Sequence, residues 1–248
     1  MYNPFALSGK TILVTGASSG IGKAIAIESS KMGATVFITG RNLQRLQETY
    51  SSLDGNTHKL IYADFRNDED MQLLISEVTE LDGIVHAAGI VDPVPFQFVS
   101  SEKLDDIFSI NFRSPALLTQ TLVKKKLIRN KSSIVFISSV TGIYCSTFAG
   151  SMYGATKGAI NGLIKGMALD LSNKSIRVNS ICPGMIDTGI YADGRISKDQ
   201  LKEDRQKYPL KRYGKPEEVA YAVIYLLSDA SLWVTGSNLL IDGGYTLL

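Results

Sequence analysis

Only two cysteines and two histidines occur among the 248 residues: Cys145, Cys182, His58 and His86. Neither cysteine sits in a C-x-x-C spacing or near a histidine in sequence, which argues against a disulfide framework and against a metal site; two buried thiols are expected instead. No apolar run approaches the ~18 residues of a membrane span, and the opening MYNPFALSGK lacks the unbroken apolar stretch of a signal peptide. A soluble, cytoplasmic chain without a membrane partner is expected. Excess charge is also lacking: 26 Lys and Arg against 24 Asp and Glu leave +2, too little for a general attraction to nucleic acid or anionic lipid. No G-x-S-x-G elbow occurs, His58 precedes a predicted strand and His86 closes another, so a Ser-His-Asp site has no support and both histidines read as structural. Linkers, internal repeats and low-complexity tracts are missing too, and the chain reads as one domain over residues 1–248.

What is present is alternation. Short β-branched runs stand at Ile12–Thr15, Thr35–Thr39, Lys59–Tyr62, Gly83–His86, Ser133–Ser138, Arg177–Ile181 and Asn238–Ile241. Between them, apolar residues recur at helical intervals in Ile21–Met32, Leu43–Leu53, Asp68–Val78, Ser101–Ile128, Tyr153–Leu171 and Pro216–Leu227. This order predicts an α/β fold of parallel strands joined by crossover helices. Gly184–Gly214 fits least well: it holds a charged helical piece, SKDQLKEDRQKY, and no strand, and an excursion of that length reads as a lid over a site.

The first predicted strand runs into TGASSGIG, Thr15–Gly22, and a helical pattern follows at once. A strand, a glycine turn and a helix N-terminus form an anion site, because the missing side chains let a diphosphate reach backbone N–H groups that have no intrahelical partner. Gly16, Gly20 and Gly22 are spaced more widely than the G-x-G-x-x-G of ordinary dinucleotide folds. Their place at the carboxyl end of a first strand is nonetheless where such sheets bind nucleotides. After the second strand, Gly40–Arg41 supplies a guanidinium where a carboxylate would meet a ribose 2′-hydroxyl, which favours NADP(H) over NAD(H). Asp64, just past the third strand, either faces the adenine edge or caps the following turn.

SMYGATKG, Ser151–Gly158, sets Tyr153 four positions ahead of Lys157 among small residues. A phenol ionises at about pH 10 and is a poor proton donor or acceptor at neutrality. On a helix the two side chains share a face, and a cation about 5 Å from the phenolate stabilises it by roughly 3 kcal/mol, or about 2 pKa units, at an effective dielectric near 20. Fourteen residues before Tyr153, the fifth strand ends in SSVTG, where the Ser139 hydroxyl can hydrogen-bond a carbonyl oxygen that gains charge during hydride attack.

In order, TGASSGIG, HAAG, SIN (Ser109–Asn111), ISS (Ile137–Ser139), YGATK, PGMIDT (Pro183–Thr188) and LLIDGGYT resemble the motif series of the short-chain dehydrogenase/reductase family over nearly the whole chain. The resemblance implies a doubly wound Rossmann fold with seven parallel strands ordered 3-2-1-4-5-6-7, helices on both faces, and a homotetramer. It maps a catalytic set onto Asn111, Ser139, Tyr153 and Lys157. Tyr153 would donate a proton to the carbonyl, Lys157 would hold the nicotinamide ribose and lower the phenol's pKa, and Asn111 would position a relay water. Cofactor contacts are implied for Gly16, Ser18, Ser19, Gly20, Ile21 and Gly22, for Arg41, Asp64 and Phe65, for Ala88 and Gly89, and for Pro183, Gly184, Ile186 and Thr188. Thr188 would meet the carboxamide, and Ile186 would pack beside the ring or against its backbone support. One motif departs from the family: His86-Ala87-Ala88-Gly89 stands where many members carry Asn-Asn-Ala-Gly, so an amide that pins neighbouring backbone is missing.

The 3-oxoacyl-(acyl-carrier-protein) reductases are the group the sequence resembles most. Lys124, Lys125, Lys126, Arg129, Lys131 and Lys174 form a basic cluster that would receive an acidic carrier protein, or is an ordinary solvated helix end. The alternatives are a reductase or dehydrogenase for a small alcohol, polyol, sugar or steroid, and a nucleotide-binding regulator without turnover, against which the intact Tyr153–Lys157 pair counts.

Overall fold

β1 (Thr11–Thr15) shows how this chain builds two layers from one strand: Ile12 and Val14 enter one apolar core and Leu13 the other, because side chains alternate across a pleat. The computed structural model describes residues 2–189 and 197–248. Around β1 lie β2 (Thr35–Gly40), β3 (Lys59–Tyr62), β4 (Leu81–His86), β5 (Ile128–Ile137), β6 (Arg177–Pro183) and β7 (Asn238–Ile241), all paired in parallel in the order β3-β2-β1-β4-β5-β6-β7. The expected Rossmann order is therefore the observed one.

The crossovers are α1 (Gly20–Lys31), α2 (Leu43–Tyr50), α3 (Asp68–Glu77), α4 (Ser101–Phe108), α5 (Ser114–Lys124), α6 (Ser151–Asp170), α7 (Lys198–Gln206) and α8 (Pro216–Leu227). Apolar residues of α1, α2 and α8 cover one face of the sheet, and those of α3, α5 and α6 cover the other. Burial on both faces explains why the strands read as continuous apolar runs rather than as alternating ones.

Two boundaries differ from the periodicity. The long helix expected over Ser101–Ile128 is interrupted by a π-helical turn, Ser109–Arg113, that carries Asn111, and it ends at Lys124. The hydrophobic pattern runs unbroken through a wide turn, which is why periodicity misses it; such turns recur at functional sites. Ile128 belongs instead to β5, which begins five residues ahead of the expected Ser133 after a register shift between Leu81 and Gly83 of its neighbour.

That extension relocates the basic cluster. Lys124 to Lys131 lie at the end of α5 and the start of β5, and Lys174 just precedes β6, so the cluster sits at the amino edge of the sheet. Arg129 is also held by Glu80 at 3.1 Å and Asp82 at 3.0 Å. At ~3.3 Å per residue along β5, roughly 25 Å separates Arg129 from the carboxyl edge.

The Gly184–Gly214 excursion leaves and returns at one point. Asp187 N–H donates to the Gly214 carbonyl and Gly214 N–H to that of Met185, 2.9 and 3.0 Å, and α7 starts with a capping box between Ser197 and Gln200. Residues 190–196 of the expected lid lie outside the described residues. No described helix is long and apolar enough to cross a membrane. Cys182 is buried as expected, but Cys145 is only half-buried, because its loop borders a cleft rather than the core.

Candidate active site

A cleft of about 770 Å³ opens along the carboxyl ends of the strands. At one end the β1–α1 turn approaches the β4 loop so closely that a Cβ on Gly16 would stand 2.6 Å from the Ala88 backbone, and Gly16 also takes a positive φ of 67°. Ser19, the N-cap of α1, has extended backbone and no side-chain capping bond, so the first N–H groups of that helix remain available. Gly16, Ser18, Ser19, Gly20, Ile21 and Gly22 all line the cleft, as do Arg41, Asp64, Phe65, Ala88 and Gly89. Asp64 Oδ1 accepts the Arg66 N–H at 3.1 Å, the turn-capping alternative.

Thr15 pins the backbone of the HAAG motif. Its buried hydroxyl accepts from Ala87 N–H at 3.1 Å and Ala88 N–H at 3.2 Å. Asn111 fixes the next residue from the other side: Oδ1 accepts Ile90 N–H at 2.8 Å and Nδ2 donates to Ile90 O at 2.9 Å and Thr156 Oγ1 at 3.2 Å. Its side chain is buried and stands behind the cleft wall rather than in it. His86 lies deeper still, stacked on Phe136 at 4.6 Å with Nε2 2.7 Å from Thr119 Oγ1. Because that hydroxyl donates to Pro115 O, the ring must donate to it, and burial pushes the His86 pKa down to about 3.

At the other end α6 delivers Tyr153 and Lys157. Small residues let the β5 end lie directly on this helix: Gly142, at φ 105°, is packed so tightly over α6 that a Cβ there would overlap the Gly154 backbone. Lys157 Nζ sits 5.5 Å from the Tyr153 ring centroid and donates to Ile137 O at 2.8 Å. Burial pushes the ammonium's pKa down from its ordinary 10.5 to about 8. Ser139 Oγ accepts the Thr141 N–H at 3.1 Å, an orientation that leaves its own proton for another acceptor. Pro183, Gly184, Ile186 and Thr188 close the cleft from β6, where Thr188 reaches to within 3.2 Å of the Cβ position of Gly20.

A family model described as enoyl-(acyl carrier protein) reductase matches residues 16–246. The chain belongs to the short-chain dehydrogenase/reductase family. Among curated relatives of this dehydrogenase/reductase, the 3-oxoacyl-(acyl-carrier-protein) reductase of Rickettsia prowazekii is 33% identical over 242 residues, 98% of this chain and 99% of that one. The glucose 1-dehydrogenase of Gluconobacter oxydans is 32% identical over 249 residues, 97% of this chain and 93% of that one. Of solved structures, a short-chain dehydrogenase/reductase from Serratia marcescens superposes with a TM-score of 0.89 at 30% identity, covering 98% of this chain and 100% of the other.

Several lining residues of this dehydrogenase/reductase escaped the motif reading. Arg45 and Arg66 join Arg41 at the end of the cleft beside the glycine turn; Arg45 lies four residues after Arg41, in the first turn of α2, a spacing present in the sequence. Cys145, Thr147, Asp204, Tyr208 and Tyr245 line the other end and gather only through tertiary packing.

Proposed function

We propose that the protein is an NADP(H)-dependent reductase of a 3-oxoacyl thioester carried on an acyl carrier protein, folded as one domain with residues 184–214 as the substrate lid. The observation that carries this reading is the buried Lys157 ammonium beside the Tyr153 ring, in the same cleft as the Ser139 hydroxyl and the glycine cradle. The cradle fits a dinucleotide: a Cβ would fill it at Gly16, and the uncapped start of α1 offers N–H groups to a diphosphate. Among the described residues Arg41 and Arg45 form no ion pair, whereas Arg66 is bound bidentately by Asp106 at 2.8 and 3.0 Å, so the first two are the cations suited to a 2′-phosphate.

When bound, the nicotinamide supplies or accepts a hydride. Ser139 donates to the substrate carbonyl oxygen and stabilises the charge that develops there. Tyr153 transfers its phenolic proton to that oxygen, Lys157 favours the phenolate that remains and holds the ribose, and Thr188 and Ile186 bound the nicotinamide side. Asn111 serves by fixing Ile90 and, through Thr156, the first turn of α6. Any part in a water relay falls to its backbone, because both amide hydrogens and one lone pair of Oδ1 are held by protein partners and the side chain stands behind the wall.

The basic cluster at the amino edge is too far from the cleft to seat a carrier in the same subunit while its acyl group reacts, so carrier docking is assigned to the mouth of the cleft. The likeness to a glucose 1-dehydrogenase, together with the Asp204 carboxylate in the lining, supports a second reading in which a polyol hydroxyl is oxidised. NADPH oxidation with an acetoacetyl thioester, run beside NADP⁺ reduction with a polyol panel, decides between them: thioester turnover is expected, and turnover confined to polyols overturns the first reading.

A further inference from the structure

Tyr208, just after α7, is almost wholly buried although it lines the cleft. Its ring is clamped by two other tyrosines, stacked on Tyr245 at 4.8 Å and 27° and edge-on to Tyr213 at 5.6 Å and 86°. Its oxygen accepts the Met185 N–H at 3.2 Å, which ties it to the same β6 extension that carries Ile186 and Thr188. Cys145, in the loop that follows β5, lines the same cleft. Among the described residues no acceptor takes the hydroxyl's proton. Burial, reinforced by Asp204, pushes its pKa up to about 12, so that proton stays in place through neutral pH. A fixed, desolvated O–H donor on a residue that lines a cleft is costly to leave unmatched and is therefore suited to reading a ligand.

We propose that Tyr208 is a specificity-determining residue that donates its hydroxyl hydrogen bond to a second oxygen of the substrate, beyond the carbonyl engaged by Ser139 and Tyr153. The substrate class is a compound with a second carbonyl close to the reacting ketone, such as a 3-oxo thioester or ester; this rests on the carbonyl-reductase reading above. The three-tyrosine clamp keeps the donor in place without a flexible side chain, and its components, separated by up to 37 positions in sequence (Tyr208 to Tyr245), meet only through the turn that follows β7.

The test compares acetoacetyl-N-acetylcysteamine with its thioether analogue, in which a methylene replaces the thioester carbonyl, as substrates for NADPH oxidation. Tyr208→Phe keeps the stacked ring and removes only the donor. It is expected to lower kcat/KM for the thioester by about tenfold or more, and that for the thioether by less than about threefold, because a site built to hydrogen-bond an oxygen discriminates against its absence. NADPH affinity, followed by fluorescence titration, is expected to stay within about threefold of wild type. Equal losses on both compounds overturn the proposal and leave Tyr208 as a support for Met185; no loss on either overturns it as well. Tyr245→Leu, which keeps the hydroxyl but loosens the clamp, is expected to lose the same selectivity in part, and it decides the matter if Tyr208→Phe does not fold. If wild type reduces neither compound, the carbonyl-reductase reading fails by itself. Equilibrium binding of the pair to Tyr153→Phe with NADP⁺ then judges Tyr208: a thioester preference that disappears in the Tyr208→Phe double variant supports the role, and an unchanged preference refutes it.

Discussion

On the proposed reading, the two ends of the cleft recognise their ligands by opposite means. The adenosine and diphosphate end is made of backbone and exposed guanidinium groups: glycines that allow close approach, an uncapped helix start, and Arg41 and Arg45 in solvent. The reacting end is made of buried polar side chains, Lys157 and Ser139 in the cleft and Asn111 behind its wall, all nearly inaccessible and each tied to named backbone atoms. An anion needs donors without bulk in its way, and its own charge organises them. Proton transfer needs groups whose pKa and orientation are set in advance, which requires desolvation and fixed hydrogen bonds. The first end should therefore tolerate gradual change, and the second should fail abruptly.

The sharpest break is expected for Tyr153→Phe, which removes the exchangeable proton and little else: kcat should fall by about a thousandfold or more, with NADPH affinity by titration within about threefold of wild type. Retained turnover would remove Tyr153 from the chemistry. Lys157→Met should follow, with kcat lower by about a hundredfold and a gain in stability that the contrast between the ends requires. The folded-state pKa of Lys157, about 8, lies below the ordinary 10.5. The unfolded chain therefore holds the extra proton between those values, and stability contributed through this group rises with pH across that window. By thermal denaturation without cofactor, Lys157→Met should exceed wild type most below about pH 8 and converge with it toward about pH 10.5.

At the adenosine end the effect should be smaller and graded. Replacing Arg41 or Arg45 by alanine should each lower the NADPH-over-NADH ratio of kcat/KM, and the double variant should lower it by about tenfold or more. A double variant with an unchanged ratio would shift the cofactor assignment. Behind the cleft the effect should fall on stability and leave the chemistry unchanged. His86 titrates at about 3 in the folded protein against an ordinary 6.5, so the unfolded state binds the extra proton in that window and stability falls as pH drops through it. His86→Asn, which returns the residue many relatives carry, should flatten the acid side of the stability profile by at most about 1.4 kcal/mol per pH unit, seen in urea midpoints between pH 6.5 and 4.

The same contrast explains what could be read in advance. The glycine turn, Arg41 and the Tyr153–Lys157 pair lie in short local motifs, and each residue so read lines the cleft. Arg45, only four residues after Arg41, was within reach. Asn111 was read from the motif series, but its place behind the wall depends on a π-helical turn that apolar periodicity does not register. The basic cluster was legible as charge and illegible as position, because only the early start of β5 sets it at the far edge of the sheet. Thr15 as the support for the HAAG turn, and the Tyr208–Tyr245 stack, join residues 72 and 37 positions apart, for which no local spacing exists.

By itself the sequence determined the alternation of strands and helices, the strand carrying the glycine turn, and which side chains share a face on the first turns of α6, since these follow from periodicity and neighbours within a few residues. Only the tertiary structure decided which polar groups lose water, which hydroxyl holds its proton, and which charges share an edge. Those properties depend on what packs against a residue from distant segments, and desolvation, unlike helical spacing, is not written locally.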